Sequence, residues 1–368
     1  MIKVVDLGWS ISGGAQGAAP GPRVPASPGS LGSDLRSSAL PLLAPPYSRE
    51  RAIVRARGES GAIGLGEATP LAGRSIDTVE ECARAVAALR GVLPIMLSPS
   101  SALAFAADLA SAVAADAPAA RFAIETALCD LVARTAGWPL ARVLSPSPAP
   151  SVPINALCAT PAEAIAAIAR GITTIKIKTA DAKLMRSVIG RGAHLRIDPN
   201  QAWPRDEVDA RLAALAELGI EYVEEPARDF AKHVRAPMIV PLALDESLAD
   251  RDRDAWLDDA LASGAFAAVV IKPALVGGLA ASIAIAERAR MHGVDAVVTH
   301  SFDGAIATAA ACELARAVHG SKAHGLDRPD LPAGAVPQLG ANVARDSGRA
   351  GLGIPAAAPK PRALEASP

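Results

Sequence analysis

The sequence predicts an α/β protein, a (β/α)₈ barrel with an α+β cap domain at its N-terminal side. From about residue 153 onward, short apolar strands alternate with Ala-rich helical stretches, with one βα unit roughly every 20–30 residues. Before that point, a hairpin pattern is followed by helical patterns instead of βα units. No GxGxxG segment follows an early strand, which weakens the rival prediction of an open doubly wound sheet.

The predicted cap occupies residues 1–150. Residues 2–11 alternate as a strand does, and residues 12–47 are rich in Gly, Pro, Ser and Ala, which predicts a loop or a partly disordered insertion. Apolar and turn residues then predict a hairpin at 50–71 and helices at 77–93, 101–116 and 119–137. The Pro/Ser-rich stretch 145–153 predicts the boundary to the barrel.

The predicted barrel occupies residues 151–324. Its strands are expected at 153–159, 173–179, 194–200, 222–226, 241–247, 267–273 and 295–301, with an eighth near 323–327. Helical stretches separate most of them, so a ring of helices should cover a parallel sheet.

Composition restricts the classes of partner. The chain has 368 residues, a formal net charge of −1 and only 3% aromatic residues, which argues against nucleic-acid and membrane partners. No run of ~18 apolar residues predicts a membrane span, and no signal peptide pattern opens the chain. The cysteines are scattered without CxxC spacing, which is typical of a reducing compartment, so we expect a cytoplasmic protein.

Charged residues mark the carboxyl ends of five consecutive predicted strands. They are Lys178 (with Lys176 two residues earlier), Asp198, Glu224, Asp245 and Lys272, at successive steps of 20, 26, 21 and 27 residues. Each step is about one βα unit, so a barrel would bring all of these side chains to one rim, where the active sites of such barrels lie.

The three carboxylates predict a metal site. A lone Asp at a strand end is more often a helix cap, but Asp198, Glu224 and Asp245 would repel one another without a cation and raise their own pKa values. Carboxylate oxygens suit a hard ion such as Mg²⁺, for which Mn²⁺ can substitute.

The lysines predict proton chemistry beside that metal. Lys176 and Lys178 are two residues apart, so both point to the same face of their strand and disfavour each other's protonation. Lys272 comes from a strand across the barrel mouth. This arrangement suits removal of a proton next to a carboxylate, with a metal stabilising the enediolate. The alternative is that the lysines are only ion-pair partners in an inert barrel.

These motifs together resemble the enolase superfamily, in its muconate-lactonising subgroup. The resemblance rests on the KxK of Lys176 and Lys178, the Asp of IDPN, the first Glu of VEEP, the Asp of LDES and the Lys of IKP. It implies a modified TIM-type barrel, a cap completed by a C-terminal return at 325–368, and the three carboxylates as Mg²⁺ ligands. Because side chains alternate along strands, Glu225 and Glu246 are expected to point away from the site.

Within the superfamily, the chain most resembles the o-succinylbenzoate synthases. Three segments support this resemblance: GEATPLAG (66–73), THSFDGAIATAAACELA (299–315) and AHGLD (323–327). It implies Mg²⁺-dependent dehydration of 2-succinyl-6-hydroxy-2,4-cyclohexadiene-1-carboxylate to 2-succinylbenzoate, in menaquinone biosynthesis, with Lys178 as base and Lys272 as a stabilising cation. Ser301, Phe302 and Asn200 are the candidate substrate contacts.

Two features leave the reaction open. The same lysines could serve as two bases in an N-succinylamino-acid racemase or a dipeptide epimerase, because fold and site do not fix the reaction. His300 stands where the resemblance leads us to expect a small residue. In either reaction the expected partner is a small-molecule carboxylate, and the sequence leaves the oligomeric state open.

Overall fold

The structure, a computed structural model, describes residues 1–12, 49–178 and 181–356. The insertion predicted at 12–47 lies outside the described residues except for Ser12, and so do residues 357–368 of the predicted C-terminal return. Within the described ranges, no helix is long and apolar enough to cross a membrane.

The cap begins with an antiparallel sheet. Its strands, in the spatial order β3-β2-β1-β4, are β1 (Ile2–Ser12), β2 (Arg51–Gly58), β3 (Ile63–Ala68) and β4 (Ile95–Leu97). Strands β2 and β3 pair from Ala52 opposite Ala68 to Arg57 opposite Ile63, which confirms the predicted hairpin.

Four helices complete the first part of the cap. They are α1 (Val79–Ala88), α2 (Ala102–Val113), α3 (Pro118–Ala136) and α4 (Leu140–Leu144). Helix α1 begins at a capping box, in which Thr78 accepts from the Glu81 backbone N–H and the Glu81 carboxylate accepts from that of Thr78.

Helix α3 packs directly on the β3 backbone. A Cβ added at Gly66 would lie 1.9 Å from the Ala123 carbonyl oxygen, and one added at Gly64 would lie 2.0 Å from that of Ala127. Only glycine allows this approach. The first glycine of the GEATPLAG segment therefore has a packing role.

The part of the chain that follows the cap forms a curved, all-parallel sheet. Its strands are β6 (Ala156–Leu157), β7 (Thr174–Ile177), β8 (His194–Ile197), β9 (Tyr222–Glu224), β10 (Leu242–Leu244), β11 (Phe266–Ile271) and β12 (Asp295–Val298). Isolated parallel bridges join Thr299 to Gly325 and Ile154 to His324, so the segment predicted as the eighth strand links the two sheet edges. The barrel fold that the sequence predicts is confirmed.

Helices alternate with these strands. They are α5 (Pro161–Ala169), α6 (Ala182–Ile189), α7 (Val208–Leu215), α8 (Leu257–Ala262), α9 (Pro273–Val276), α10 (Leu279–Met291) and α11 (Ala305–Val318). The C-terminal segment then returns towards the cap: β13 (Val343–Arg345) pairs with β5 (Ser151–Pro153), and the Leu352 N–H donates to Asp130 Oδ1 of α3 at 2.7 Å. The exact division into cap and barrel remains a prediction.

A large side-chain pair and several small residues fill the barrel interior below the carboxyl ends of the strands, that is, towards their amino ends. Arg196, fully buried, donates to Asn155 and to the Ala323 carbonyl oxygen, and its guanidinium lies 4.6 Å from the centre of the Tyr222 ring. Small residues such as Ala243 and Ala268 leave room for this pair. Because inward side chains recur every second residue, the positions two residues after Arg196 and Tyr222 face the open end of the barrel.

Candidate active site

Three carboxylates meet at the carboxyl ends of β8, β9 and β10. Asp198, Glu224 and Asp245 each offer an oxygen, these oxygens lie within 4.8 Å of one another, and all three residues are buried. Asp198 and Glu224 follow the inward-facing Arg196 and Tyr222 by two residues, so strand geometry alone turns them into the barrel mouth. The cluster can hold a metal ion, as the sequence predicts.

Burial and the neighbouring charges shift the pKa values of Glu224 and Asp198. Burial raises the pKa of Glu224 to about 8, and the charges of Asp198 and Asp245 add to this despite the opposing ammonium of Lys176. Burial opposes ionisation of Asp198 too, but Lys176, Lys178 and Lys272 outweigh it and hold its pKa far below the usual range. A bound divalent cation would relieve this repulsion.

The three lysines contact this triad from different sides. Lys176 lies between two ligands, 2.7 Å from Asp198 Oδ2 and bonded to Glu224. Lys178 donates to Asp198 Oδ2 at 2.6 Å, and Lys272 donates to Asp245. Strands β8, β9 and β10 lie between β7, which Lys178 follows directly, and β11, which Lys272 follows directly, so these two lysines flank the triad.

The two flanking lysines differ in basicity. Burial lowers the pKa of Lys178, and the neighbouring charges of Lys176 and Lys272 lower it further, although Asp198 opposes them. Burial also disfavours protonation of Lys272, but Asp245 and Glu246 outweigh it and raise its pKa. Lys178 is therefore the more readily deprotonated of the two in this state.

Asn200 lies directly behind the first ligand. Its backbone N–H and its side-chain Nδ2 both donate to Asp198 Oδ1 at 2.8 Å, and its Oδ1 accepts from Lys178 at 3.0 Å. A backbone φ of +51° aims the side chain back at the strand end. This geometry orients a ligand and a lysine. The sequence names Asn200 as a candidate substrate contact and leaves open whether it supports the ligand instead.

Ser301 and Phe302 lie on the loop that follows β12. Ser301 is buried, its N–H donates to Asp303 Oδ2 at 2.8 Å, and its hydroxyl oxygen has no hydrogen-bond partner among the described residues. Phe302, at φ +58°, packs edge-on against His300, whose Nδ1 accepts the Phe302 N–H at 3.0 Å. His300 thus stabilises the loop, and burial lowers its pKa to about 3.

The Glu225 side chain points away from the site, whereas the Glu246 side chain points towards it. Glu225 points behind the site, as predicted, and accepts from the backbone N–H groups of Asp245 and Ser247. The prediction for Glu246 is wrong: its Oε1 lies 3.4 Å from Asn200 Nδ2 and 3.8 Å from Lys272 Nζ. The chain leaves β10 at Asp245 and turns into a short 3₁₀ helix, so strand alternation no longer applies there.

Two arginines of the cap contact the loops that follow β12 and β10, and no sequence pattern indicates either of them. Arg49 donates to the carbonyl oxygens of Ser301, Phe302, Thr69 and Pro70 at 2.7–3.1 Å, which joins the cap loop to the β12 loop. A second, Arg74, contacts Glu246 at 3.4 Å. These contacts join residues far apart in the chain, so no local pattern could have indicated them.

Comparison with protein families gives matches over most of the chain. Residues 159–354 match the family described as enolase C-terminal domain-like. Residues 47–145 match the N-terminal domain of the mandelate racemase / muconate lactonizing enzyme family.

Curated relatives include enzymes of two reaction types. The chain is 31% identical to the L-Lys-D/L-Arg epimerase of Methylococcus capsulatus, over 75% of this chain and 81% of the relative. It is 30% identical to the L-Ala-D/L-Glu epimerase of Bacillus subtilis, over 85% and 91%. The o-succinylbenzoate synthase of Thermobifida fusca is 32% identical, over 46% of this chain and 58% of the relative.

Solved structures include a dipeptide epimerase from Methylococcus capsulatus in complex with Mg and the dipeptide L-Arg-D-Lys. It superposes with a TM-score of 0.72 at 25% identity and covers 95% of this chain and 99% of that chain. Sequence, fold and site geometry agree, and the chain belongs to the enolase superfamily.

Proposed function

We propose that this protein is a Mg²⁺-dependent epimerase or racemase that inverts the α carbon of an N-acylated amino acid, of which a dipeptide is one form. The observation that carries the proposal is the pair of lysines flanking the carboxylate triad, Lys178 on Asp198 and Lys272 on Asp245. Inversion needs one base on each face of a planar carbanion, and the site supplies two.

The metal would be held by Asp198, Glu224 and Asp245, whose hard oxygen donors suit Mg²⁺ and also Mn²⁺. When bound, the ion supplies electrophilic polarisation of the substrate carboxylate, which makes the adjacent α proton more acidic. Lys176, bonded to Asp198 and Glu224, adds a positive charge beside these two carboxylates.

The proton steps belong to the other two lysines. Neutral Lys178 takes the α proton from one face, and protonated Lys272 delivers a proton to the opposite face. For the other enantiomer the roles are exchanged.

The second candidate is the dehydration performed by an o-succinylbenzoate synthase. It is favoured by the resemblance of residues 66–73, 299–315 and 323–327, and by a relative of that activity at 32% identity. That relative spans 46% of this chain, whereas the two epimerases span 75% and 85%. The longer similarity to the epimerases favours inversion.

One parallel assay separates the two reactions. Mg²⁺-loaded protein is incubated in deuterated water with a panel of L,L-dipeptides and N-succinyl-L-amino acids, and separately with the hydroxycyclohexadiene carboxylate. We expect deuterium at the α carbon together with the inverted product, and none of either with a Lys178→Ala/Lys272→Ala double variant. Rapid dehydration of the cyclohexadiene without inversion of any panel member would contradict the proposal.

A further inference from the structure

We infer that Arg74 binds a second carboxylate of the substrate, so that the enzyme selects N-acylated amino acids or dipeptides that carry a distal acidic group. The inference rests on the proposed function, because it takes the reacting α carbon to lie between Lys178 and Lys272.

The backbone at Arg74 belongs to a hydrogen-bonded turn of the cap loop. The Arg74 and Ser75 backbone N–H groups donate to the Leu71 carbonyl oxygen at 2.9 and 2.8 Å, and the Leu71 N–H donates to the Ser75 hydroxyl at 2.8 Å. Gly73 permits the turn with a φ of +79°. The cap loop therefore fixes the backbone from which the Arg74 side chain extends towards Glu246.

Arg74 lies close to the reacting groups. Its Nη1 is 3.4 Å from Glu246 Oε1, and the same oxygen is 3.8 Å from Lys272 Nζ. These two contacts place the guanidinium within about 7 Å of the Lys272 ammonium. One residue of extended chain spans about 3.5 Å, so a carboxylate on the side chain or the acyl group of a dipeptide-sized substrate reaches Arg74.

Arg74 also has spare hydrogen-bonding capacity. Its guanidinium has five N–H donors, yet the long contact with Glu246 is its one side-chain hydrogen bond to the described residues, and 30% of the side chain is exposed. Glu246 is shared, since Lys272 and Asn200 Nδ2 lie near the same oxygen. By contrast, Arg49 donates hydrogen bonds to four carbonyl oxygens.

A planar guanidinium with free donors is suited to bidentate recognition of a carboxylate. A hydrogen bond to a charged group contributes about 1.5–3 kcal/mol, which corresponds to roughly 10–100-fold in affinity. A neutral amide of the same shape loses most of this gain. Pairs of substrates that share a shape and differ only in this one charge therefore isolate the effect of Arg74.

The test compares L-Ala-L-Glu with L-Ala-L-Gln, and N-succinyl-L-Ala with its terminal amide, on Mg²⁺-loaded protein. Binding is measured by calorimetry, and α-proton exchange is measured in deuterated water. We expect the acidic member of at least one pair to bind roughly tenfold or more tightly. Arg74→Gln should abolish that ratio through KM more than through kcat, and Arg74→Lys should restore part of it.

The matched control is Arg84→Gln, which changes an exposed arginine on α1 whose ion-pair partner is Glu81 at 3.9 Å. It should leave both ratios unchanged. Equal binding within both pairs, or preferred binding of L-Ala-L-Lys, would overturn the inference. Preferred binding of the acidic members without α-proton exchange would support the role of Arg74 while contradicting the proposed reaction.

Discussion

At the scale of single residues, the orientation of Asp198 decides what the site can hold. One carboxylate oxygen accepts two hydrogen bonds from Asn200, while the other faces Lys176 and Lys178. Pro199 ends the strand, so the chain turns immediately and brings Asn200 back behind the ligand. Asp198 is therefore fixed before any ligand arrives.

Replacing Asn200 tests this support. Asn200→Ala removes the side-chain hydrogen bonds to Asp198 and Lys178 but keeps the backbone one, and such outer partners typically contribute 10–100-fold to metal affinity or activity. We expect Mg²⁺ affinity, measured by calorimetry, to fall by roughly tenfold or more. Asn342→Ala, at an exposed asparagine that donates to the Gly171 carbonyl oxygen, is the control. An unchanged affinity in Asn200→Ala would refute the assigned role.

His324 provides a pH prediction. It is fully buried, its Nδ1 accepts the Val298 N–H at 3.0 Å, and burial lowers its pKa to about 3. The unfolded chain binds a proton at this histidine near pH 6.5 while the folded protein does not. The contribution of His324 should therefore lower stability as pH drops from about 6.5 towards 3, by at most about 1.4 kcal/mol per pH unit for this one group.

His324→Asn should make this dependence less steep, because the amide oxygen can accept the same N–H without titrating. The measurement is the urea midpoint of both proteins at pH 8, 6.5, 5.5 and 5. A wild-type midpoint that falls no faster than that of the variant below pH 6.5 would show that His324 is not responsible.

At the scale of elements, Glu67 joins the cap to a barrel helix. Its carboxylate, 1% exposed, accepts the backbone N–H groups of Gly304, Ile306 and Ala307 at 2.7, 3.1 and 3.2 Å, at the start of α11. An acceptor with negative charge satisfies the free donors and the dipole of a helix N-terminus. The glutamate of GEATPLAG thus anchors α11 across the domain junction.

Glu67→Gln keeps the size but replaces one acceptor oxygen with a donor. Losing a partner of a buried backbone N–H costs about 1–3 kcal/mol, so we expect a clear fall in the urea midpoint. Glu59→Gln removes a 66% exposed carboxylate that pairs with Lys3 and should change the midpoint little. Equal effects of the two substitutions would argue against the anchoring role.

The elements also explain which features the sequence predicts. The strands and the carboxylates after them follow from a repeated local pattern, in which apolar residues end in Asp198, Glu224 or Asp245. Glu246 was misplaced because the chain leaves strand geometry at Asp245. Arg74 was missed because its partner lies 172 residues away, where no periodicity operates. The eighth strand reduces to bridges at His324 and Gly325, in a segment too short to show alternation.

At the scale of the whole molecule, residues of the cap contact the barrel around the candidate site. Arg49, Glu67 and Arg74 reach the barrel at the β12 loop, the start of α11 and the turn after β10 respectively. Under the proposed function, the barrel supplies the metal ligands and the lysines, whereas the cap supplies Arg74, the residue that we propose selects substrates. Variants of the cap loop should therefore alter KM and selectivity more than kcat.

Metal binding should stabilise the folded protein as a whole. A ligand that binds only the folded state at about 100 times its Kd adds roughly 2.7 kcal/mol, so the Tm of EDTA-treated protein should rise when Mg²⁺ is added. Asp245→Asn should reduce this rise, whereas Asp250→Asn, at a residue paired with Lys232 at 2.8 Å, should retain it. Equal rises in the two variants would exclude Asp245 as a ligand.

The central claim is that Lys178 and Lys272 act on opposite faces of one α carbon. The most direct measurement follows α-proton loss by NMR, in deuterated water with Mg²⁺, from each enantiomer of a substrate of the wild-type enzyme, using Lys178→Ala and Lys272→Ala. We predict that each variant loses inversion by ~10²–10⁴-fold yet still exchanges the proton of one enantiomer, and that the exchanged enantiomer differs between the two variants. Exchange of the same enantiomer by both variants, or inversion by either at close to the wild-type rate, would contradict the two-base account.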